Sequence, residues 1–202
     1  MKVNSELLFD SGTPFSEKRD IVWRYQYRHC PPYRRFCDAL EITPDNAGGG
    51  IDIPKIPIQI FKEARVMSDE FGRAEMEFLS SGTSGMDRSV HPVADLAVYQ
   101  RSLRQGWGYF YGQADNAILA YLPGYVQNPN SSLIRMLKEL VADDPSGLSR
   151  FLELDRPLDR ELLDRIQNEG KRTVLFGAAF GLADLAEKYP CSLPSDSIVI
   201  ET

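Results

Sequence analysis

The run Ala117-Ile118-Leu119-Ala120-Tyr121-Leu122 constrains this chain more than any other stretch. It is near-continuously apolar, the kind of strand that is buried on both faces. Such a strand needs a mostly parallel sheet with helices packed on either side. From residue 73 onward the sequence alternates between strand and helix signals. Residues 74–79 alternate as a short strand. Pro92 stands at a plausible first helical position for a helix reaching about Trp107, with Val93, Leu96, Ala97, Leu103 and Trp107 as its buried stripe. After the 117–122 strand, Ser131 or Ser132 caps a helix in which Leu133, Met136, Leu137, Leu140 and Val141 hold helical spacing. Leu158, Leu162, Leu163 and Ile166 mark a helix over 159–168, which Gly170 stops. A strand over 173–176 follows. Gly177-Ala178-Ala179 then leads into a helix through Lys188, and 197–201 is a last strand. The pattern predicts an α/β fold with a mostly parallel sheet flanked by helices.

Residues 1–72 read differently. A helical turn over 5–10 is broken by Ser11-Gly12-Thr13-Pro14. Ser16 opens the next helix, with Phe15 placed to staple it. Ile21, Val22, Tyr25 and Cys30 follow helical spacing until Pro31-Pro32 ends or kinks the run. A second short helix, 33–40, puts Phe36, Cys37 and Leu40 on one face. Pro54 and Pro57 make 51–58 an extended segment that cannot be a central strand. These residues are expected to form a helical N-terminal layer, 1–72, packed on an α/β subdomain, 73–202.

Composition excludes several functions. The chain has 202 residues, 43% hydrophobic and 26% charged, with a net charge of −6. An acidic chain without a basic face is a poor candidate for nucleic acid. No apolar run approaches a membrane span, and the first residues lack the pattern of a signal peptide. Cys30, Cys37 and Cys191 show no CxxC spacing, which suits a reducing, cytoplasmic setting in which Cys30 and Cys37 are core thiols. His29 and His91 are the only histidines, so no histidine-rich metal site is expected.

The small-residue stretch Ser80-Ser81-Gly82-Thr83-Ser84-Gly85 lies between the expected 74–79 strand and the next helix. Glycines let a backbone approach a polyanion, and hydroxyls and N–H groups donate to it. This is neither a Walker A loop nor a nucleophile elbow, since both spacings are absent. The turns at 80–85, 122–125 and 177–179 all follow strands. In a parallel sheet they share the carboxyl edge, where ligands bind.

The stretch Ser80 to Gly85, continued by Arg88-Ser89-Val90-His91, resembles the LuxE-type acyl-protein synthetases of the adenylate-forming superfamily. Trp23-Arg24-Tyr25-Gln26-Tyr27, Ile53-Pro54-Lys55-Ile56-Pro57 with Phe61-Lys62, Leu122-Pro123-Gly124-Tyr125 with Asn130-Ser131-Ser132-Leu133, and the 175–180 segment are similar to further blocks of that family. The resemblance implies the large-lobe fold, ATP and Mg2+ as cofactors, and activation of a carboxylic acid, by family a fatty acid. Acyl-adenylate formation and transfer to a protein or carrier thiol would follow. Ser80, Ser81, Gly82, Thr83, Ser84 and Gly85 would cradle the phosphates. Most relatives carry a lysine after the loop. Here Met86-Asp87-Arg88 follows, and Arg88 would be the charge partner. His91 would orient or donate near the forming adenylate; the alternative is a surface histidine beside a helix start. Gly177 and Ala178 would pass beneath the adenine, and Glu201 would be a magnesium-side carboxylate.

In the family, Glu-Thr at such a strand end is followed by a glycine-rich loop and a further lobe. The expectation is therefore the N-terminal portion of a longer ligase, or alternatively a truncated, non-catalytic module that binds nucleotide or acyl group and works with a partner chain. A second copy of the chain is a further candidate partner.

Overall fold

The computed structural model describes residues 5–46, 53–80, 88–112, 115–122 and 128–202. The chain divides into two compact units, Met1–Ser102 and Leu103–Thr202.

The first unit begins with three helices, α1 Ser5–Phe9, α2 Phe15–His29 and α3 Pro31–Ala39. Pro31 and Pro32 end α2 and open α3 at the positions where a missing N–H costs nothing. Helix α2 starts one residue earlier than expected, with Pro14 at its cap and no side-chain capping bond. Phe15 is 80% exposed, so it staples nothing. Cys30 and Cys37 are buried, as the helical spacing required, whereas Leu40, expected on the same face as Cys37, is exposed. The segment from Ile53 carries no regular structure until the single turn α4 Ile60–Glu63. The Tyr33 hydroxyl holds this segment by donating to the Pro54 carbonyl at 2.7 Å.

The unit closes with a ribbon, β1 Met76–Leu79 paired antiparallel with β2 Val90–Val93, and with the start of α5 Leu96–Tyr111. Two expectations are corrected here. The 74–79 strand does not join the parallel sheet; it forms its own two-stranded sheet. Pro92 and Val93 are strand residues, not the opening of a helix. A two-stranded ribbon has only edge strands, so a residue without an N–H is tolerated in it. The helix starts at Leu96 because carboxylates satisfy its first N–H groups. Asp95 Oδ1 accepts from Ala97 N at 2.8 Å and Val98 N at 3.2 Å, and Glu75 Oε2 accepts from Leu96 N at 2.8 Å. Helix α5 runs on to Tyr111, past the expected end at Trp107, and its expected stripe is not fully buried: Ala97 is exposed, and Leu96, Leu103 and Trp107 are half-buried.

The second unit is an open parallel sheet. Its strands are β3 Asn116–Tyr121, β4 Arg150–Phe151, β5 Arg172–Gly177 and β6 Ile198–Glu201, in the order β4-β3-β5-β6. Helices α6 Ser132–Ala142, α7 Arg160–Asn168 and α8 Ala179–Lys188 connect them in turn. The central strand behaves as its sequence demands. Ala117, Leu119 and Tyr121 pack with Leu162, Leu163 and Ile166 of α7 and Leu185 of α8. Ile118 and Ala120 pack with Ile134, Leu137 and Leu140 of α6, and Leu103 and Trp107 of α5 lie against that cluster. Alternate residues of one strand thus feed two cores on opposite faces. Ser131, not Ser132, caps α6; Asp159 caps α7, and Gly170 follows α7 with φ +70°. The two-residue strand β4 was not foreseen. Among the described residues no helix is long and apolar enough to cross a membrane.

An ionic knot sits at the amino end of this sheet. The Lys171 side chain is 4% exposed, with Nζ 3.1 Å from Asp144 Oδ1 and 2.6 Å from Asp115 Oδ1. Asp144 also accepts from Ser146 N, Ser146 Oγ and Ser149 N at 3.0, 2.6 and 2.8 Å. Burial pushes its carboxyl up, but the bonds from Ser146 and Ser149 outweigh this and hold it well below the usual carboxylate range.

Candidate functional site

Two places in the fold carry the residues singled out by sequence, one in each unit. The first is the base of the β1–β2 hairpin. The ladder pairs Leu79 with Val90, and Ser80 and Ser89 extend it by one step. Ser80 N donates to Ser89 O at 3.1 Å, and Ser89 N donates to Ser80 Oγ at 3.0 Å. A serine side chain thus closes the hairpin where a backbone carbonyl would ordinarily accept. The Ser80 hydroxyl accepts this bond and keeps its proton to donate. Ser81, Gly82, Thr83, Ser84 and Gly85, the expected phosphate cradle, lie outside the described residues. The chain enters and leaves them through the two strands of one hairpin, so the loop is not the strand-to-helix turn expected.

Arg88 is exposed next to this base. His91 sits in β2, half-buried, and stacks on Phe61 with ring centroids 4.5 Å apart and planes inclined by 25°. Its Nε2 is 3.0 Å from Ser89 Oγ. His91 is therefore a strand residue with a fixed ring, not a surface histidine beside a helix start. Ser89, buried at 5% exposure, is the residue that sequence reasoning missed. Positions i and i+2 of a strand share a face, which would have paired it with His91; reading the segment as the approach to a helix hid that relation.

The first unit also holds an apolar cavity of about 720 Å3. Trp23, Ile53, Ile56, Val66 and Met67 line it, with Lys18 and Arg19 also in its wall. On one side Tyr25 donates to Glu70 Oε2 at 2.9 Å and lies 3.0 Å from Ser68 Oγ. Trp23, Tyr25, Gln26, Ile53 and Ile56, which belong to the family-like blocks of the N-terminal region, all face this space.

The second place is the carboxyl edge of the parallel sheet. From β3 the chain leaves to α6 on one face, and from the adjacent β5 it leaves to α8 on the other. That reversal makes the ends of β3 and β5 the switch point of the sheet, where open α/β sheets take ligands. Gly177 is the last residue of β5, paired with Tyr121 and with Glu201 of β6. Ala178 caps α8 without any side-chain bond, and Glu201 is exposed. A Cβ on Gly177 would stand 2.7 Å from Leu182 Cγ and Cδ2 and 2.8 Å from the Tyr121 carbonyl oxygen. The glycine is thus required by the packing of α8 and β3 on β5. Residues 123–127, which include the rest of the expected turn after β3, lie outside the described residues. Among the described residues no group of three His, Cys, Asp or Glu is placed to hold a metal ion.

The second unit has an α/β fold with an open parallel sheet, and comparison with known proteins bears on the first unit's region. Residues 18–115 match the family model of acyl-protein synthetase, LuxE. A 69-residue stretch is 37% identical to a long-chain-fatty-acid–luciferin-component ligase of Photorhabdus luminescens, covering 34% of this chain and 59% of that protein. The resemblance to LuxE-type acyl-protein synthetases is borne out over this region. No solved structure matches the chain.

Proposed function

We propose that this chain contributes to the ATP-dependent activation of a long-chain fatty acid, as a LuxE-type ligase. The observation that carries the reading is the match over residues 18–115, which takes in the apolar cleft wall, the hairpin base and Arg88. In this reading the adenylate-forming large-lobe fold supplies the frame. A carboxylate oxygen attacks the α-phosphorus of ATP, the bond to the β-phosphate oxygen breaks, and pyrophosphate leaves. A thiolate then attacks the acyl carbon and AMP leaves with both electrons of the broken C–O bond. The substrate carboxylate is already ionised, so no general base is needed for the first step. The work of the protein is positioning and charge stabilisation.

The chain's residues divide that work. Loop 81–85 with the Ser80 hydroxyl proton donates to phosphate oxygens, and Arg88 supplies the charge as a two-pronged donor. His91 donates near the reacting carboxylate. Gly177 and Ala178 would pass beneath the base, with the start of α8, which has no side-chain cap, favouring negative charge, and Glu201 would be the carboxylate on the Mg2+ side. The cleft around Trp23 and Ile56 falls within the 300–1,000 Å3 range of small-molecule sites and offers an apolar wall for the acyl tail.

Pyrophosphate exchange into ATP, with fatty acids of graded length, tests the reading. Exchange that requires a long-chain acid, with Arg88→Ala weakening ATP binding about 10- to 100-fold in calorimetry, supports it. ATP binding without exchange assigns the chain to a binding module. Neither binding nor exchange by folded protein refutes the proposal.

A further inference from the structure

We infer that Ser89 positions His91, committing one ring nitrogen so that the other faces the reacting groups; the inference rests on the role of His91 proposed above. Three observations carry it. Ser89 is buried, so its hydroxyl needs a partner, and His91 Nε2 lies 3.0 Å away. The backbone C=O of Ser89 accepts from Ser80 N and its N–H donates to Ser80 Oγ, so the Ser89 hydroxyl is not needed to build the hairpin. Phe61 fixes the plane of the ring from one side.

The consequence follows from the donor and acceptor inventory. A serine hydroxyl donates to a neutral ring nitrogen or accepts from a protonated one. In both cases Nε2 is occupied and Nδ1 is left for other partners. The Ser89 proton is buried and needs an acceptor, which His91 Nε2 supplies, so the hydroxyl donates and the neutral ring carries its proton on Nδ1. His91 then presents an N–H to a phosphate or carboxylate oxygen without needing a charge. A ring free to flip or to change tautomer would offer an acceptor half the time, which repels those oxygens. Ser89 touches no substrate in this account; it acts through His91.

The experiment compares the full chain with Ser89→Ala and Ser89→Thr. The chain has two histidines, so ring 15N signals are assigned with a His29→Gln variant. The expected pattern for neutral His91 is the Nδ1–H tautomer in the parent chain. Ser89→Ala keeps the backbone ladder but moves the ring toward Nε2–H, and Ser89→Thr retains the parent pattern. In pyrophosphate exchange, Ser89→Ala lowers kcat about tenfold, equivalent to ~1.4 kcal/mol, with KM for ATP unchanged and with Thr restoring activity. A purely structural role predicts an unmoved 15N pattern, and that result overturns the inference. An unmoved kcat in an active chain also overturns it. A parent chain without exchange removes the proposed function alone, and the 15N pattern then decides whether Ser89 sets the tautomer.

Discussion

Gly177→Ala separates two demands that the same glycine could serve. Sequence resemblance puts Gly177 beneath an adenine, where a side chain would block the ligand. The structure supplies a reason that needs no ligand. An added Cβ meets Leu182 Cγ and Cδ2 at 2.7 Å and the Tyr121 carbonyl oxygen at 2.8 Å. The leucine is the end of a side chain on α8 and can turn away. The carbonyl belongs to β3, which lies between β4 and β5 with a core on either face, so it cannot yield without moving the sheet. Overpacking of this kind costs ~1–3 kcal/mol. Against it, Gly→Ala lowers the entropy of the unfolded chain, a gain of ~0.4–1 kcal/mol where the backbone conformation suits alanine. The net expectation is a loss of about 1–2 kcal/mol.

Urea denaturation reads this directly, with Trp107 as a fluorescent reporter in the same unit. The midpoint should fall by about 0.5–1 M. Leu182→Ala in the Gly177→Ala background should cost about 1 kcal/mol less than in the parent chain, because it removes one of the two clashes but leaves the carbonyl. Parent-like stability of Gly177→Ala, or strict additivity with Leu182→Ala, would falsify the packing argument. Parent-like stability combined with lost ATP binding would return the glycine to the adenine.

Two further outcomes follow from buried ionisable groups. Asp144→Ala leaves the Lys171 ammonium, among the described residues, with only the exposed Asp115 as ion-pair partner, and breaking a buried pair in this way costs ~3–5 kcal/mol, measurable by the same denaturation. Because the native Asp144 carboxyl is held below its unfolded value of about 3.9, its contribution is present above pH ~4 and is lost as pH falls further; a parent chain no less stable at pH 3 than at pH 6 would contradict this. Burial pushes the Cys30 and Cys37 thiols up, while Cys191 is exposed. A thiol reagent at neutral pH should therefore modify one cysteine quickly and the other two only on unfolding.

The second unit was legible because its signals are local. Six apolar residues in a row admit one environment, and Ser131, Asp159 and Gly170 punctuate helices whose stripes need no knowledge of their partners. The strand β4 escaped notice because two residues carry no period. The ribbon was half-read. Alternation over 74–79 identifies a strand but not what it pairs with, and Pro92 serves a helix start and an edge strand equally well by its own chemistry. Asp95 and Glu75, which together satisfy the first N–H groups of α5, decide between them, and Glu75 lies far away in sequence.

The same contrast governs the site residues. A glycine or a serine in a motif states only that something comes close or that something is bonded; it does not say what. At Gly177 the close neighbours are Leu182 and Tyr121, and at Ser80 the bonded neighbour is Ser89. Each is a contact within the protein, so each residue would be kept in a chain that bound nothing. Arg88 differs, because an exposed guanidinium gains little for the fold. Substitution at Arg88 is therefore the direct test of the proposed function, whereas those at Gly177, Ser80 and His91, which is held by Ser89 and Phe61, must first be read as tests of the fold.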